Sequence, residues 1–392
     1  MKNILWLTSW YPNVTDPSNG DFIQRQAEAV SDFQSMKIVY VGKYLSRTAP
    51  IKIDPVVTQK GNKRLEEYIL YYPSRVNGNS LLSRFLSFKA YFKRHFEFLS
   101  HLRKENELPD IVHVQVAMKA GLIALYLKWR YKIPFVLTEH WSGYYAESRD
   151  SLFKKSYLTR YFTRLIINNA SRFLPVSEAL GNQIAQHWIP VSFLKIPNVV
   201  NTKFFFPSEI NPPTIFRFIH ISSLNYPKNP EGIIRAFIKL LEQGIIAELV
   251  LVGPGNPVLN EFIRSSGLTT RQLLCTGEIS YERVGIELRK SSSLVMFSFY
   301  ENMPCVILEA LCSGIPVIAT RVGGIPEVIN ANNGILIKTG NESELLEAMK
   351  KMIQNHSGYD REKISRQSKE QFSYQVVGQK IIDIYNSLPE SK

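Results

Sequence analysis

The chain has 392 residues, 45% hydrophobic and 21% charged, which is enough for two domains with separate cores and unlike a disordered or repetitive protein. Its net charge of +13 is unevenly spread: residues 1–200 hold 27 Lys and Arg against 15 Asp and Glu, and residues 201–392 hold 20 against 19. This implies an anionic partner for the first half, whether nucleic acid, a phosphorylated acceptor or an anionic membrane surface. No apolar run approaches the roughly 20 residues that cross a bilayer. The apolar start stops early at Ser9-Trp10-Tyr11-Pro12, so it reads as a buried strand rather than a secretory signal. Cys275, Cys305 and Cys312 belong to no CxxC or His/Cys cluster, which predicts buried, reduced thiols in the cytosol.

In chain order, 3–8 reads as a strand, a Pro/Asn/Gly-rich loop follows, and 21–32 reads as an amphipathic helix. Strands are expected at 36–41, 110–116, 134–138 and 173–176, short and continuously apolar as in a sheet covered on both faces. Residues 42–80 mix Gly, Asn, Pro and charge and show no clear pattern. Leu81–Lys104 is basic and aromatic together, with Arg84, Lys89, Lys93 and Arg94 among Phe85, Phe88, Tyr91 and Phe92. Residues 151–165 repeat the mixture. Both segments suit peripheral contact with an anionic membrane, although an ordinary surface helix with its rings on the sheet has the same composition.

Pro207, Pro212 and Pro213 mark a linker over 201–214, after which alternation restarts. Strands at 216–221, 248–252, 273–276, 294–298, 316–319 and 334–337 alternate with helices from Pro230, Pro257, Tyr281, Pro304 and about Asn341. Tandem β/α alternation predicts an α/β protein of two Rossmann-like domains, 1–200 and 215–372, facing each other across a crevice, with a last helix over 373–392.

The strongest local pattern is Tyr300-Glu301-Asn302-Met303-Pro304-Cys305 running on to Glu309-Ala310. A strand ends, a polar loop follows, and Pro304 is expected at the first helical position. The amides of such a helix start suit a diphosphate, and carboxylates suit sugar hydroxyls. From spacing alone, Glu301 and Glu309 read equally well as ligand groups or as solvated residues, and a glycosidase pair is also within reach. Gly323-Gly324 predicts either a tight turn or close backbone approach to a ligand. Lys228, in the loop after the strand 216–221, could neutralise a phosphate. His140 follows a strand on its carboxyl side, where a catalytic role is favoured. No GxGxxG fingerprint occurs, which argues against an NAD enzyme.

Together these segments resemble the retaining glycosyltransferases of family four, which have the GT-B fold and are also called glycosyl transferases group 1. The resemblance rests on the E-x7-E motif Glu301 to Glu309, on Gly323-Gly324-Ile325-Pro326-Glu327, and on Val252-Gly253-Pro254-Gly255 and Thr276-Gly277-Glu278-Ile279. It extends to Asp110-Ile111-Val112-His113, Pro175-Val176-Ser177-Glu178 and Pro197-Asn198-Val199-Val200-Asn201. It implies that Glu309 holds the donor ribose and Glu301 the transferred sugar. It puts the diphosphate at Gly20, Asn302, Met303 and Cys305 with Lys228, the base near Gly277 and Ile279, and His140 beside the reaction centre. It makes 1–200 the acceptor-binding domain and 215–372 the nucleotide-sugar-binding domain, and the last helix would return to the first.

Two departures stand out. Ser222-Ser223-Leu224 occupies the place of a Gly-Arg-Leu segment, with Arg321 or a first-domain residue as a replacement cation. Asn19-Gly20-Asp21 carries one glycine where many relatives have two. The expected activity is transfer from a nucleoside-diphosphate sugar, UDP favoured over GDP, to a glycan or lipid-linked acceptor in cell-surface polysaccharide assembly. The enzyme is expected in the cytoplasm or peripherally on the inner face of the membrane. Neither metal nor other cofactor is expected, since no DxD-type run occurs. The alternatives are a nucleotide-sugar epimerase, or a basic nucleic-acid-binding protein for which nothing but charge speaks.

Overall fold

The computed structural model describes residues 2–44, 55–73, 81–207 and 215–389. Parts of the region 42–80 and of the expected linker, including Pro212 and Pro213, lie outside these. The chain forms two compact units, one of Met1–Val176, Gly181–Pro197 and Tyr374–Lys392, the other of Ser177–Leu180 and Asn198–Ser373.

The first unit runs β1 (Ile4–Thr8), α1 (Asp21–Ser31), β2 (Met36–Tyr44), β3 (Val56–Lys60), β4 (Lys63–Pro73), α2 (Leu81–Lys104), β5 (Ile111–Gln115), α3 (Ala120–Tyr131), β6 (Phe135–Glu139), α4 (Tyr157–Asn169), β7 (Arg172–Pro175) and α5 (Glu178–His187), whose first residues count with the second unit. The sheet order is β3-β4-β2-β1-β5-β6-β7, parallel except where β3 meets β4. Every residue of β1, β5 and β6 is buried, as a sheet covered on both faces requires.

The hairpin β3–β4 falls where the sequence showed no pattern. Its strand β4 carries two adjacent glutamates, yet both are buried. Glu67 accepts from the Tyr11 hydroxyl (2.6 Å) and from Gln24 (2.8 Å), and Glu66 from Lys37 (3.0 Å) and Tyr68 (2.9 Å). Paired in this way, carboxylates can occupy a strand that composition alone marks as surface.

The second unit runs β8 (Phe216–Ile221), α6 (Pro230–Glu242), β9 (Ala247–Val252), α7 (Pro257–Ser265), β10 (Leu273–Gly277), α8 (Tyr281–Arg289), β11 (Ser293–Met296), α9 (Cys305–Cys312), β12 (Val317–Thr320), β13 (Gly334–Ile337), α10 (Glu342–Gln354) and α11 (Arg361–Phe372). Its all-parallel sheet has the order β10-β9-β8-β11-β12-β13. The order reverses between β8 and β11, and in open α/β sheets such a switch point opens a crevice at the strands' carboxyl ends where ligands bind.

A last helix, α12 (Tyr374–Asn386), belongs to the first unit and packs on α1. The backbones approach closely, since a Cβ on Gly378 would lie 2.5 Å from the Ala29 carbonyl oxygen. The cysteines are free, but only Cys312 is buried; Cys305 is half-buried and Cys275 is exposed on β10, so the expectation of three buried thiols fails there.

Candidate functional site

In the second unit, the loops leaving β8 and β11 lie side by side. Phe299 N–H donates to the Pro227 carbonyl (2.9 Å), and the Tyr226 and Phe299 rings stack at 5.4 Å. This contact brings Lys228 Nζ within 2.5 Å of Glu301 Oε1, which also accepts from the Ser298 hydroxyl at 2.9 Å. Lys228 is therefore tied to a carboxylate and keeps further N–H donors for a ligand. Both donors fall on Oε1, and Oε2 has no hydrogen-bond partner among the described residues.

The backbone of this loop is held from three sides. Asn198 donates to the Met303 carbonyl (2.8 Å), and Gly324 N–H to the Asn302 carbonyl (2.7 Å). Gly323 has φ +51°, and a Cβ there would sit 1.9 Å from the Glu301 carbonyl oxygen. The glycine pair forms a tight turn, and at Gly323 that turn packs backbone on backbone. Glu327, a turn further on, accepts from the N–H groups of Glu178 and Ala179 (3.1 and 2.9 Å).

Glu301, Asn302 and Met303 are buried, and Glu309 is only 4% exposed within α9. Pro304 does not open the helix as its first residue. Its ψ of 123° is extended, so it is the N-cap and α9 begins at Cys305, and Pro304 itself supplies no side-chain cap. Gly277 ends β10 at φ +72°, and Ile279 follows it half-buried. Where the Gly-Arg-Leu segment would lie, His220 donates from Nδ1 to the Val295 carbonyl and accepts at Nε2 from the Ser222 hydroxyl, both at 2.8 Å. Arg321 is exposed.

In the first unit, Gly20 is the N-cap of α1 at φ +69°, and a Cβ there would lie 2.7 Å from the Trp10 backbone. Two residues on, Phe22 packs on the His140 ring at 4.8 Å, which places those two candidates in one neighbourhood. His140 is buried and its Nε2 hydrogen-bonds Gln115 Oε1 at 2.9 Å. Glu139, fully buried, holds this loop. It accepts from the N–H groups of Ala117 (3.1 Å), His140 (3.0 Å) and Trp141 (3.0 Å) and from the Tyr144 hydroxyl (2.9 Å). Burial raises its carboxyl pKa against the pull of those donors. Sequence reasoning assigned no role to Glu139, Ser298 or Asn198. Glu139 and Ser298 are signalled only by nearness to candidates at strand ends, and Asn198 by its place in the 197–201 segment of the resemblance.

Two Rossmann-like units built on parallel strands, the second with carboxylates and a helix start at its switch point, define a doubly wound α/β protein. Residues 201–371 match the family described as glycosyl transferases group 1, and residues 53–204 match Glycosyltransferase Family 4. The chain belongs to the family-four glycosyltransferases. TuaC of Bacillus subtilis, named for teichuronic acid biosynthesis, is 25% identical over 368 residues, 88% of each chain. Sucrose-phosphate synthase from Thermosynechococcus elongatus shares the fold at a TM-score of 0.77 and 17% identity, covering 98% of each chain. Anabaena HepE, solved with UDP, does so at 0.71 and 16%, covering 99% of this chain and 100% of its own. The fold is GT-B.

Proposed function

We propose that the protein transfers a sugar, with retention at the anomeric carbon and without a metal, from a UDP-sugar to a glycan or lipid-linked acceptor. The observation that carries this reading is the Lys228–Glu301–Ser298 cluster beside the start of α9 and the buried Glu309. Lys228 and the N–H groups of Met303 and Cys305, on either side of Pro304, offset charge on the departing diphosphate. Glu301 Oε2 accepts from hydroxyls of the transferred sugar, Glu309 from the ribose, and Gly277 and Ile279 lie by the base. Gly20 and Asn302 adjoin the diphosphate, and His140 acts beside the sugar. HepE is solved with UDP and with UDP-glucose, which supports uridine over guanosine. The name of TuaC supports an acceptor in cell-surface polymer synthesis.

The test is calorimetry with UDP, GDP, ADP and CMP in the presence of EDTA, on wild type and Glu309→Ala. UDP should bind selectively, and the variant should bind it about tenfold or more weakly, as expected for a lost charged hydrogen bond. Equal binding by the variant removes the donor site from α9, and binding only with added metal removes the metal-free mechanism. A product with inverted anomeric configuration would end the retaining assignment.

The outer face of α2 supports a peripheral membrane reading. Tyr91 and Phe98 pack inward, but Phe85 and Phe88 are 63% and 43% exposed beside Arg84, Lys89 and Lys93. On α4, Tyr157 and Leu158 are 69% and 63% exposed. Exposed rings with flanking cations suit an anionic lipid surface.

A further inference from the structure

The first unit contains a cavity of about 410 Å³ at the carboxyl ends of β1, β2 and β4, bounded by α2 and the loop after β5. Its size is that of a small-molecule site. Two lysines, Lys43 and Lys119, and three tyrosines, Tyr40, Tyr72 and Tyr91, line it. Neither lysine has an ion-pair partner among the described residues. Lys119 lies over the Tyr91 ring, 5.5 Å from its centroid. The one carboxylate among the lining residues, Asp16, is already engaged by the N–H (3.2 Å) and hydroxyl (2.9 Å) of Ser18.

A second observation points to a missing ligand. Tyr91 is 4% exposed, and its buried hydroxyl has no hydrogen-bond partner among the described residues. An orphaned buried hydroxyl is costly unless something else supplies its partner. Burial pushes the Tyr72 phenol up to about 12 and raises those of Tyr40 and Tyr91, so all three remain hydroxyl donors at neutral pH. Burial, and then the charge on Lys43, lowers the Lys119 pKa, so the two cations feel each other across the cavity. Three tyrosine hydroxyls and two lysines against one carboxylate leave a net positive, donor-rich lining, which is complementary to anionic oxygens and less so to a neutral sugar.

We propose that this cavity receives the acceptor by an anionic group, a phosphate or a carboxylate, with Lys43 and Lys119 supplying charge and Tyr91 a hydrogen bond. The inference rests on the reading that the enzyme glycosylates a separate acceptor, and it narrows that acceptor to an anionic one. It also accounts for part of the positive charge concentrated in residues 1–200.

The test titrates the full-length protein with glucose 6-phosphate, glucuronate and glucose, with UDP measured on the same samples. At least one anionic probe should bind about tenfold or more tightly than glucose, and the better of the two identifies phosphate or carboxylate. Lys119→Met should weaken it about tenfold and Lys43→Met severalfold, whereas Lys119→Arg should retain most of the affinity. UDP binding should be unchanged in all three. Lys43 and Lys119 are both exposed, so their variants probe the site without disturbing the core, and melting temperatures verify folding.

The proposal is overturned if glucose binds as well as the anions, if no probe binds, or if both Met variants bind them normally. Saturating UDP that expels the anion, with Lys119→Met also weakening UDP, would overturn it by giving the cavity to the donor. Failure of the donor reading shows separately, as loss of UDP binding or its indifference to Glu309→Ala while the anion still depends on Lys119.

Discussion

Glu301 carries two donors on one oxygen, Lys228 at 2.5 Å and Ser298 at 2.9 Å, in a setting where the Glu301 and Lys228 side chains are 10% and 23% exposed. A pair this sheltered should be coupled more strongly than a surface ion pair, because removing either partner strands the other in partial burial. Lys228→Met and Glu301→Gln should each cost about 1–3 kcal/mol, and the double variant less than their sum by about 1 kcal/mol. Urea denaturation of the four proteins measures this, and strict additivity would show that the contact contributes nothing. The two glutamates and the lysine were legible in the sequence because a strand end and a helix start frame them. Ser298 was not singled out, since a serine closing an apolar strand has no periodic signature. The function of Gly323 was also hidden, because its contact is the Glu301 carbonyl 22 positions earlier, which no local pattern encodes.

Among the elements, the helices opened by prolines at Pro230 and Pro257 start where the sequence placed them, since proline tolerates the first turn and little else. Pro304 fails by one position because its ψ is extended and it stands outside the helix. Strand β4 was missed for a different reason, the burial of paired glutamates. Helix α2 was read at its full length, but its rings divide between two faces, Tyr91 and Phe98 inward and Phe85 and Phe88 outward. The outward face yields a prediction. Cosedimentation with vesicles of phosphatidylglycerol and phosphatidylcholine should exceed that with phosphatidylcholine alone, and should fall with added salt. Replacing Lys89 and Lys93 by Gln should reduce it about thirtyfold, at roughly 1 kcal/mol per cation near the surface. Equal partitioning of wild type and variant would leave α2 an ordinary surface helix.

For the molecule as a whole, the buried histidines govern the response to acid. Burial holds His113 down to about 3, with His140 adding to the shift, and holds His95 and His220 to about 4. His113 hydrogen-bonds the Tyr385 hydroxyl of α12 (2.6 Å) and Thr138 (2.7 Å), so its neutral ring helps to fasten the last helix to the first unit's sheet. An unfolded histidine titrates near 6.5. Below that pH the unfolded chain binds protons that the folded chain refuses, and stability falls by up to about 1.4 kcal/mol per pH unit for each histidine. Glu139 opposes this, because its raised carboxyl pKa makes the folded state gain as pH falls towards the unfolded value. One carboxyl against these three histidines and the half-buried His356, whose pKa burial also lowers, leaves the net slope acid-labile between pH 6.5 and about 4. The melting temperature should therefore be nearly level from pH 8 to 7 and fall progressively below 6.5. His95→Phe keeps the ring contact with Tyr91 and should flatten the decline by the share of one histidine, read as ΔG against pH from urea titrations. A wild-type melting temperature that does not change down to pH 5 would mean that these rings take up protons without leaving the fold, and the buried network would then be more hydrated than its geometry implies.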